Sequence, residues 1–287
     1  MARPFLKWAG GKGKLAPRIV AAAPEHFGRY HEPFMGAGAV FFALSETFTL
    51  TGRATLSDAN AALIETFSGV RDHPGALIGR LAALQTDYLA LEPNARADFY
   101  YRQRADMPVE PIQRAARFIF LNKTCYNGLY RVNAGGGFNV PHGRYTSPRI
   151  LDAELIHACA KALSSIELCH QDFDDACGAA QPGDFVYLDP PYQPLSATAR
   201  FTSYTSADFG QPEQTRLRDA FDALTRRGVY ALLSNSEHPA IRALYEGRGY
   251  DLELVAMSRA INSRASARAP IPELLISNFR AVRPATV

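Results

Sequence analysis

A short strand pattern passes directly into a glycine-rich turn in the segment His31-Glu32-Pro33-Phe34-Met35-Gly36-Ala37-Gly38. The apolar run Ala39–Leu44 follows and is typical of a helix. The glycines allow the backbone to turn tightly and to approach a ligand closely. Ligands of open α/β sheets bind beyond the carboxyl ends of strands, so this turn is a candidate binding site. A plain strand–helix turn uses the same residues and stays the alternative.

Further short strand patterns alternate with helical patterns along the chain. They are Ala54–Asp58, Ser165–Cys169, Asp184–Asp189, Gly228–Asn235, Tyr250–Met257 and Glu273–Phe279. Strands that alternate with helices favour a mostly parallel sheet that is covered on both faces. The sequence therefore predicts an α/β fold.

The block from residue 61 to residue 149 interrupts this alternation. Its apolar residues follow helical spacing, at Leu77, Leu81, Leu84, Tyr88 and Leu91 and again at Ile112, Ala115, Ala116 and Ile119. The segment Asn133–Tyr145 is rich in Gly, Asn and Arg and predicts a loop or a β-ribbon. We expect residues 1–60 and 150–287 to form one domain, and residues 61–149 to be an insertion with its own task.

Composition excludes several classes of protein. The chain has 287 residues, a net charge of +3 and 47% hydrophobic residues, so it is not disordered throughout. No apolar run approaches the ~18 residues that span a bilayer, and the first residues lack the apolar core of a secretory signal. The four cysteines form no CxxC pair and no metal-ligand spacing. We expect reduced thiols in a cytoplasmic protein without a metal site.

Positive charge is concentrated in two segments. Residues 96–149 hold nine Lys and Arg against three Asp and Glu. Residues 257–270 hold Arg259, Arg264 and Arg268 with no acid. A basic middle on an otherwise acidic chain indicates a polyanionic partner. A solvated helix face is the alternative.

Two acidic residues follow neighbouring strand patterns. Asp58 ends one strand, and Asp172 comes shortly after the next. An acid at such a strand end is placed to accept hydrogen bonds from ribose hydroxyls, and Asp172 could face the base of a nucleoside. Either residue could instead serve as a helix cap. The patterns GxGxxG and GxxxxGK[ST] are both absent, so neither NAD nor ATP is the first choice of ligand.

The segment Asp189-Pro190-Pro191-Tyr192 directly follows an apolar strand pattern. Two consecutive prolines cannot continue a sheet, and they make the backbone rigid. The Asp189 carboxylate and the following prolyl carbonyl can accept both hydrogens of an exocyclic amine, while the ring of Tyr192 stacks on the base. Holding such an amine beside an activated methyl group is catalysis by orientation and charge placement. A simple turn at the end of a strand is the alternative.

Together with motifs elsewhere, this corner resembles the Dam-type DNA N6-adenine methyltransferases, in which the glycine motif precedes the recognition domain and DPPY comes last. The matching motifs cover essentially the whole chain: Phe5–Lys12, Glu32–Gly38, Leu56–Asn60, Asn122–Tyr145, Asp189–Tyr192, Gln193–Phe201 and Leu233–Asn235. The resemblance implies a Rossmann-like sheet of the S-adenosylmethionine-dependent methyltransferases. It also implies an inserted, mostly helical DNA-recognition domain that carries a β-hairpin.

The resemblance implies S-adenosylmethionine as the cofactor, no metal and no membrane association. Catalysis is assigned to Asp189, with Pro190 and Tyr192 holding a flipped adenine. The implied cofactor-binding residues are Trp8, Lys12, Phe34, Gly36, Gly38, Asp58, Asp172, Phe173 and Asp189.

Double-stranded DNA is the implied partner, and GATC is the implied site. Arg131 is the main base reader, since an arginine can bind guanine O6 and N7 bidentately. The other implied DNA contacts are Lys7, Lys123, Tyr126, Asn127, Leu129, Asn139, Pro141, Arg144 and Tyr145. Among these, Lys123 and Arg144 are expected at phosphates. Arg117 is either another phosphate contact or a surface charge.

Three departures from the family pattern concern this recognition segment. Val132 follows Arg131 where a relative can carry an aromatic residue, residues 134–137 are unusually rich in glycine, and His142 stands between Pro141 and Gly143. A relaxed sequence preference is therefore an open alternative to GATC.

Other functions remain open at this stage. The same chemistry would serve N4-cytosine methylation or methylation of adenine in RNA, although Asp189 disfavours cytosine because enzymes of that kind more often carry Ser there. A catalytically inactive nucleic-acid-binding module is a second alternative, disfavoured by the intact Asp189, Tyr192, Asp58 and Lys12. A cognate restriction endonuclease of the same system is a candidate partner.

Overall fold

The computed structural model of the chain describes residues 1–133, 135–192, 209–257 and 271–280. Two features singled out in the sequence lie outside the described residues. They are the family-like stretch 193–201 and the arginine-rich segment with Arg259, Arg264 and Arg268.

Seven described strands form one sheet in the order β3-β2-β1-β4-β5-β7-β6. They are β1 (Tyr30–Glu32), β2 (Ala54–Asp58), β3 (Glu167–His170), β4 (Phe185–Leu188), β5 (Tyr230–Ser236), β6 (Asp251–Met257) and β7 (Ile271–Ser277). β7 runs antiparallel to β5 and β6, and the other pairings are parallel. The predicted α/β sheet is confirmed, because every predicted strand corresponds to one of these seven.

Ten α-helices connect and cover these strands in the part of the chain that the structure describes. They are α1 (Ala16–Ala22), α2 (Ala39–Thr47), α3 (Ala61–Asp72), α4 (Pro74–Leu89), α5 (Pro93–Ala105), α6 (Pro111–Thr124), α7 (Ala153–Leu163), α8 (Phe173–Ala179), α9 (Gln211–Arg226) and α10 (Pro239–Tyr245). Within the same ranges, none of them combines the length and apolar character of a transmembrane helix.

Apolar side chains fill both faces of the sheet, as the alternation of a strand requires. In β4, Phe185 and Tyr187 join the core on one face, while Val186 and Leu188 join a second core with α8, α9 and α10. The first core extends without interruption into the helices of residues 61–149. The sheet is therefore covered on both faces.

The block 61–149 is helical and ends in a minimal hairpin. α3 packs on β2 and β3, and α6 packs on α3, α4 and α5. After α6, a single antiparallel bridge pairs Val132 with Phe138, and another pairs Cys125 with His142. His142 is half-buried in this segment, and its Nε2 lies 2.7 Å from the Tyr88 hydroxyl. The unusual histidine thus anchors the hairpin to α4, while the role of the block in DNA recognition remains a prediction.

Candidate active site

The site lies where the strand order reverses. β1 and β4 are adjacent and parallel, and the chain continues outward from them in opposite directions. Loops at the carboxyl ends of two such strands separate and leave a crevice between them. Glu32 is the last residue of β1, and Asp189 follows the last residue of β4. The glycine turn and the proline corner therefore meet at one edge, as the sequence analysis predicts.

Lys12 joins the groups of the proline corner. Its Nζ lies 2.9 Å from Asp189 Oδ1, 2.5 Å from the Tyr192 hydroxyl and 3.5 Å from Glu273 Oε2. Only 4% of the Lys12 side chain is exposed. The ammonium group therefore partly neutralises two carboxylates in a largely buried setting. Glu273 is not among the site residues predicted from the sequence, in which it is only the first residue of a strand pattern.

The Asp189 carboxylate is held from the sheet as well. Ser234 Oγ lies 3.1 Å from Asp189 Oδ1, and the Tyr187 hydroxyl lies 2.8 Å from Ser234 Oγ. Burial raises the pKa of Asp189 above its ordinary value, and Lys12 and Ser234 oppose that rise. Tyr192 is 37% exposed, so part of this residue is accessible beside the Asp189 carboxylate, while Lys12 Nζ lies 4.4 Å from its ring centroid. Such an arrangement can hold an amine donor and a stacked planar group together.

Glu32 is a second buried acid near this edge. The Tyr30 hydroxyl donates to its Oε2 over 2.7 Å. Burial, together with the Asp189 and Asp58 carboxylates, raises the pKa of Glu32 to about 8. Glu32 is therefore mostly protonated at pH 7. Glu32 is not among the site residues predicted from the sequence, where its position before the glycine turn is the only signal.

The glycine turn is fastened by Asp58. The Gly36 N–H donates to Asp58 Oδ2 over 3.1 Å, and the Asn60 N–H donates to Oδ1 over 2.9 Å. Gly36 and Gly38 have φ values of +48° and +68°, which favour glycine. Asn60, not Asp58, caps α3, so the capping alternative for Asp58 is wrong. Burial raises the pKa of Asp58 to about 6.

Trp8 lies against the same turn. A Cβ atom on Gly36 would approach the Trp8 ring to 3.0 Å, so the ring fills the space that a side chain would need. Trp8 also stacks on Tyr130, with ring centroids 5.5 Å apart. The indole thus joins the N-terminal segment, the glycine turn and the chain after α6.

An aromatic cluster lies beyond the glycine turn. Phe34 stacks on Phe173 with centroids 5.2 Å apart, and Phe209 meets Phe34 edge-on at 5.7 Å. Asp172 caps α8 by accepting from the Asp174 N–H over 2.9 Å, and it pairs with Arg216. The capping alternative for Asp172 is therefore confirmed. A contact between Asp172 and a cofactor stays a prediction.

Asn122 connects the N-terminal segment to the predicted DNA-contacting loop. It accepts from the Lys7 N–H over 2.8 Å and donates to the carbonyls of Lys7 and Gly128 over 2.7 and 3.2 Å. Gly128 has a φ of +64°, and a Cβ there would lie 2.5 Å from Lys7 Cβ. Lys7 Nζ lies 4.1 Å from the Tyr145 ring centroid. Lys7 therefore lies beside Tyr145, another predicted DNA contact, and the contact of both residues with DNA stays a prediction.

The predicted base reader Arg131 is held by another predicted DNA residue. Arg131 Nε donates to Asn139 Oδ1 over 2.7 Å, and an Nη atom donates to the Asn139 carbonyl over 3.3 Å. This pairing fixes the guanidinium plane, which bidentate recognition requires. The remaining candidates fall into two groups: the side chains of Tyr126, Asn127, Pro141 and Arg144 are exposed, while Leu129 and Lys123 are half-buried.

Two basic residues have surroundings that the sequence did not reveal. Burial and the neighbouring Lys7 lower the pKa of Lys123 to about 8. Arg117 donates to the carbonyls of Gln103 and Arg104, over 2.7 and 2.6 Å, at the end of α5. Arg117 thus caps a helix, which neither of the two predicted roles describes. In the described ranges, no group of three or more His, Cys, Asp or Glu could hold a metal ion.

Comparison with known proteins gives consistent results across nearly the full chain. The family model of D12 class N6 adenine-specific DNA methyltransferases matches residues 8–261. The type II methyltransferase M1.LlaDCHI of Lactococcus lactis subsp. cremoris is 40% identical, over 96% of this chain and 95% of its own. The type II methyltransferase M.MjaIII of Methanocaldococcus jannaschii is 39% identical, over 96% and 99%. The DNA adenine methylase of Escherichia coli K12 is 36% identical, over 95% and 94%.

Proposed function

Because the chain belongs to the D12 class N6 adenine-specific DNA methyltransferases, we propose that it methylates a flipped adenine in duplex DNA at GATC, with S-adenosylmethionine as donor. The observation that carries this proposal is the corner Asp189–Tyr192, which the structure presents at the open edge of the sheet with Lys12 against it. A turn that only ended the strand would not require a buried lysine beside it, so Lys12 disfavours that alternative.

The residues at this edge fit the implied cofactor. The glycine turn bends the backbone sharply at the end of β1, Asp58 is an acceptor at the end of β2, and Phe34, Phe173 and Phe209 form an apolar cluster suited to a purine. S-adenosylmethionine, when bound, supplies a methyl group that is activated by its sulfonium centre. No group of this chain needs to form a covalent bond with the substrate.

The work of the protein residues is orientation and charge placement. In the proposed reaction, Asp189 and the Pro190 carbonyl accept the two N6 hydrogens of the adenine, which directs the nitrogen lone pair toward the methyl group. The Tyr192 ring stacks on the extruded base. Lys12 favours the ionised state of Asp189, in which the carboxylate can accept a hydrogen bond.

GATC is proposed from the Arg131–Asn139 pair and from the similarity to the DNA adenine methylases. An oriented arginine discriminates guanine from other bases in the major groove. A restriction endonuclease partner is proposed on the weaker ground that two relatives are named type II methyltransferases.

The decisive experiment treats a plasmid with the protein and S-adenosylmethionine, followed by GATC-cutting nucleases that are blocked by, or depend on, adenine methylation. We expect protection from the first nuclease and cleavage by the second. A parallel nucleoside digest should contain N6-methyladenine and no N4-methylcytosine. Methylation of adenine at unrelated sites would contradict GATC, and absence of methylation with intact cofactor binding would favour the inactive binding module.

A comparison of duplex DNA with an RNA of the same sequence tests the alternative that the substrate is adenine in RNA. We expect incorporation into the duplex DNA and not into the RNA. Binding to the duplex should weaken steeply with salt, because phosphate contacts release counterions. A flat salt response would contradict the role of the basic block 96–149.

A further inference from the structure

The proline corner depends on partners outside itself for its backbone hydrogen bonds. Pro190 and Pro191 carry no N–H group, so neither residue can donate to the sheet. The Pro191 carbonyl is instead bound by a side chain from another element: Gln214 Nε2 donates to it over 3.3 Å. Gln214 lies in the first turn of α9 and is fully buried. A buried glutamine aimed at this carbonyl is unusual, because Gln is mostly exposed in proteins.

Gln214 belongs to a chain of three hydrogen bonds that runs from the Ser236 N–H through Asn235 and Gln214 to the Pro191 carbonyl, and each residue donates to the next. The Ser236 N–H donates to Asn235 Oδ1 over 2.8 Å, and Asn235 Nδ2 donates to Gln214 Oε1 over 3.0 Å. The backbone N–H of Ser236 can only donate, so it fixes the orientation of the Asn235 amide. That amide in turn fixes the amide of Gln214, whose NH2 group must face the Pro191 carbonyl.

The end of β5 therefore holds the corner in two ways. Ser234 binds the Asp189 carboxylate directly, over 3.1 Å. Its neighbour Asn235 acts through Gln214 on the peptide between Pro191 and Tyr192. Ser234 and Asn235 are both fully buried, so these contacts do not compete with bulk water.

We propose that Gln214 is a positioning residue for methyl transfer, an inference that rests on the proposed function. It does not touch the substrate. By fixing the peptide after Pro191, it holds the Tyr192 ring and the Pro190 carbonyl in register with the Asp189 carboxylate. A small displacement of such groups is costly, since transfer requires the amine and the methyl group in line.

The test compares Gln214→Glu and Gln214→Met with the matched control Gln211→Glu. Gln211 begins the same helix and is exposed. A carboxylate at position 214 still accepts from Asn235, but it repels the Pro191 carbonyl. A protonated carboxyl group can again donate to that carbonyl, whereas methionine cannot donate at any pH. Burial raises the pKa of the introduced acid into the working range.

The readout is the single-turnover rate of adenine methylation with saturating cofactor and duplex, between pH 6 and pH 9. Each rate is divided by that of Gln211→Glu, which cancels the intrinsic pH dependence of the reaction. We expect Gln214→Glu to be roughly 10- to 100-fold slow at pH 9 and to recover toward the control as the pH falls. Gln214→Met should be slow at every pH, while calorimetry shows S-adenosylmethionine binding within about twofold of the parent.

Each outcome decides the proposal. A pH-independent ratio for Gln214→Glu, at any level, overturns it, and so does a Gln214→Met variant that matches the parent. If Gln214→Met does not fold by thermal melting, the pH dependence of Gln214→Glu decides alone. If the parent and Gln211→Glu fail to methylate adenine, the proposed function fails. If both are active and the Gln214 variants equal them, only the positioning role fails.

Discussion

Lys12 Nζ lies 2.9 Å from Asp189 Oδ1, which joins the N-terminal segment of the chain to the end of β4. Two opposing effects act on this aspartate. Burial raises its pKa, and the Lys12 ammonium lowers it. A residue from a distant part of the sequence therefore favours the ionised form that the proposed reaction needs.

Removal of this cation should change the pH dependence of the reaction. In Lys12→Met, burial acts on Asp189 without its main opposing charge, so the pKa of Asp189 rises. Because the carboxylate is the active form, the acid limb of kcat/KM should move up by about 1–3 pH units. Lys14 is an exposed residue of the same short 3-10 helix, Lys12–Lys14, so Lys14→Met is the matched control and should keep the parent profile. An unshifted limb in Lys12→Met would remove this assignment.

Asp189 itself should be indispensable for turnover. We expect Asp189→Ala to lower kcat by a factor of at least ~100, because an oriented acceptor in a buried site is lost. Binding to duplex DNA, measured by gel shift, should be largely retained, since Asp189 is not one of the residues predicted to contact phosphates. Asp189→Asn keeps the side-chain volume and one acceptor oxygen, so its kcat should lie between that of the parent and that of Asp189→Ala. Normal turnover of the alanine variant would contradict the catalytic role.

Arg131 and Asn139 should behave as one unit in base recognition. We expect Arg131→Ala to cost ~1–3 kcal/mol on GATC and to relax discrimination at one guanine. Asn139→Ala should act in the same direction, because it releases the Arg131 side chain. The double variant should lose less than the sum, which a double-mutant cycle measures. Arg144→Ala is the comparison, with a loss that is similar on all sequences.

Equal loss of binding on GATC and on substituted sites would reassign Arg131 to a phosphate contact. Additive losses in the double-mutant cycle would show that Asn139 does not act through Arg131.

Glu32 should make the fold less stable as the pH rises. Its pKa is about 8 in the folded protein, above the ordinary value of 4.5. Below about pH 4.5 the carboxyl is protonated in both states, and between these values only the unfolded state releases the proton. The free energy of unfolding should therefore fall by up to about 1.4 kcal/mol per pH unit across this window.

Glu32→Gln lacks this ionisation and is the reference for the measurement. Denaturant unfolding at pH 5 and pH 8 should show a decrease for the parent that exceeds the decrease for Glu32→Gln. Parallel pH dependence of the two proteins would contradict the buried, protonated state of Glu32.

Local sequence patterns predict much of the fold. The strand Ala54–Asp58 was predicted to the residue, and β4 was predicted within one residue at each end, because apolar runs bounded by Gly, Pro and Asp depend on neighbours in sequence. The meeting of the glycine turn with the proline corner also followed from a general rule for parallel sheets. Among its described residues, the predicted ribbon forms only isolated bridges, since its glycines weaken regular pairing.

The site was predicted less completely. Lys12, Asp58 and Asp189 are candidate site residues on sequence grounds, but no sequence pattern predicts the contact between Lys12 and Asp189. Asp172 caps α8, as its alternative predicts, and its contact with a cofactor stays a prediction; Arg117 binds the end of α5, which neither of its predicted roles describes. Glu273 and Gln214 carried no recognisable motif, because a single Glu or Gln in an amphipathic segment is ordinarily a surface residue.

The order of short apolar strands, glycines and prolines determined the α/β sheet and the edge at which its site lies, because burial and backbone geometry act over a few residues. Tertiary structure alone decided the partners of the buried polar groups. Lys12 faces Asp189, and Gln214 faces the Pro191 carbonyl, because a charge or amide removed from water must find a complement wherever packing brings one. That complement lies far along the chain, so no local pattern encodes it.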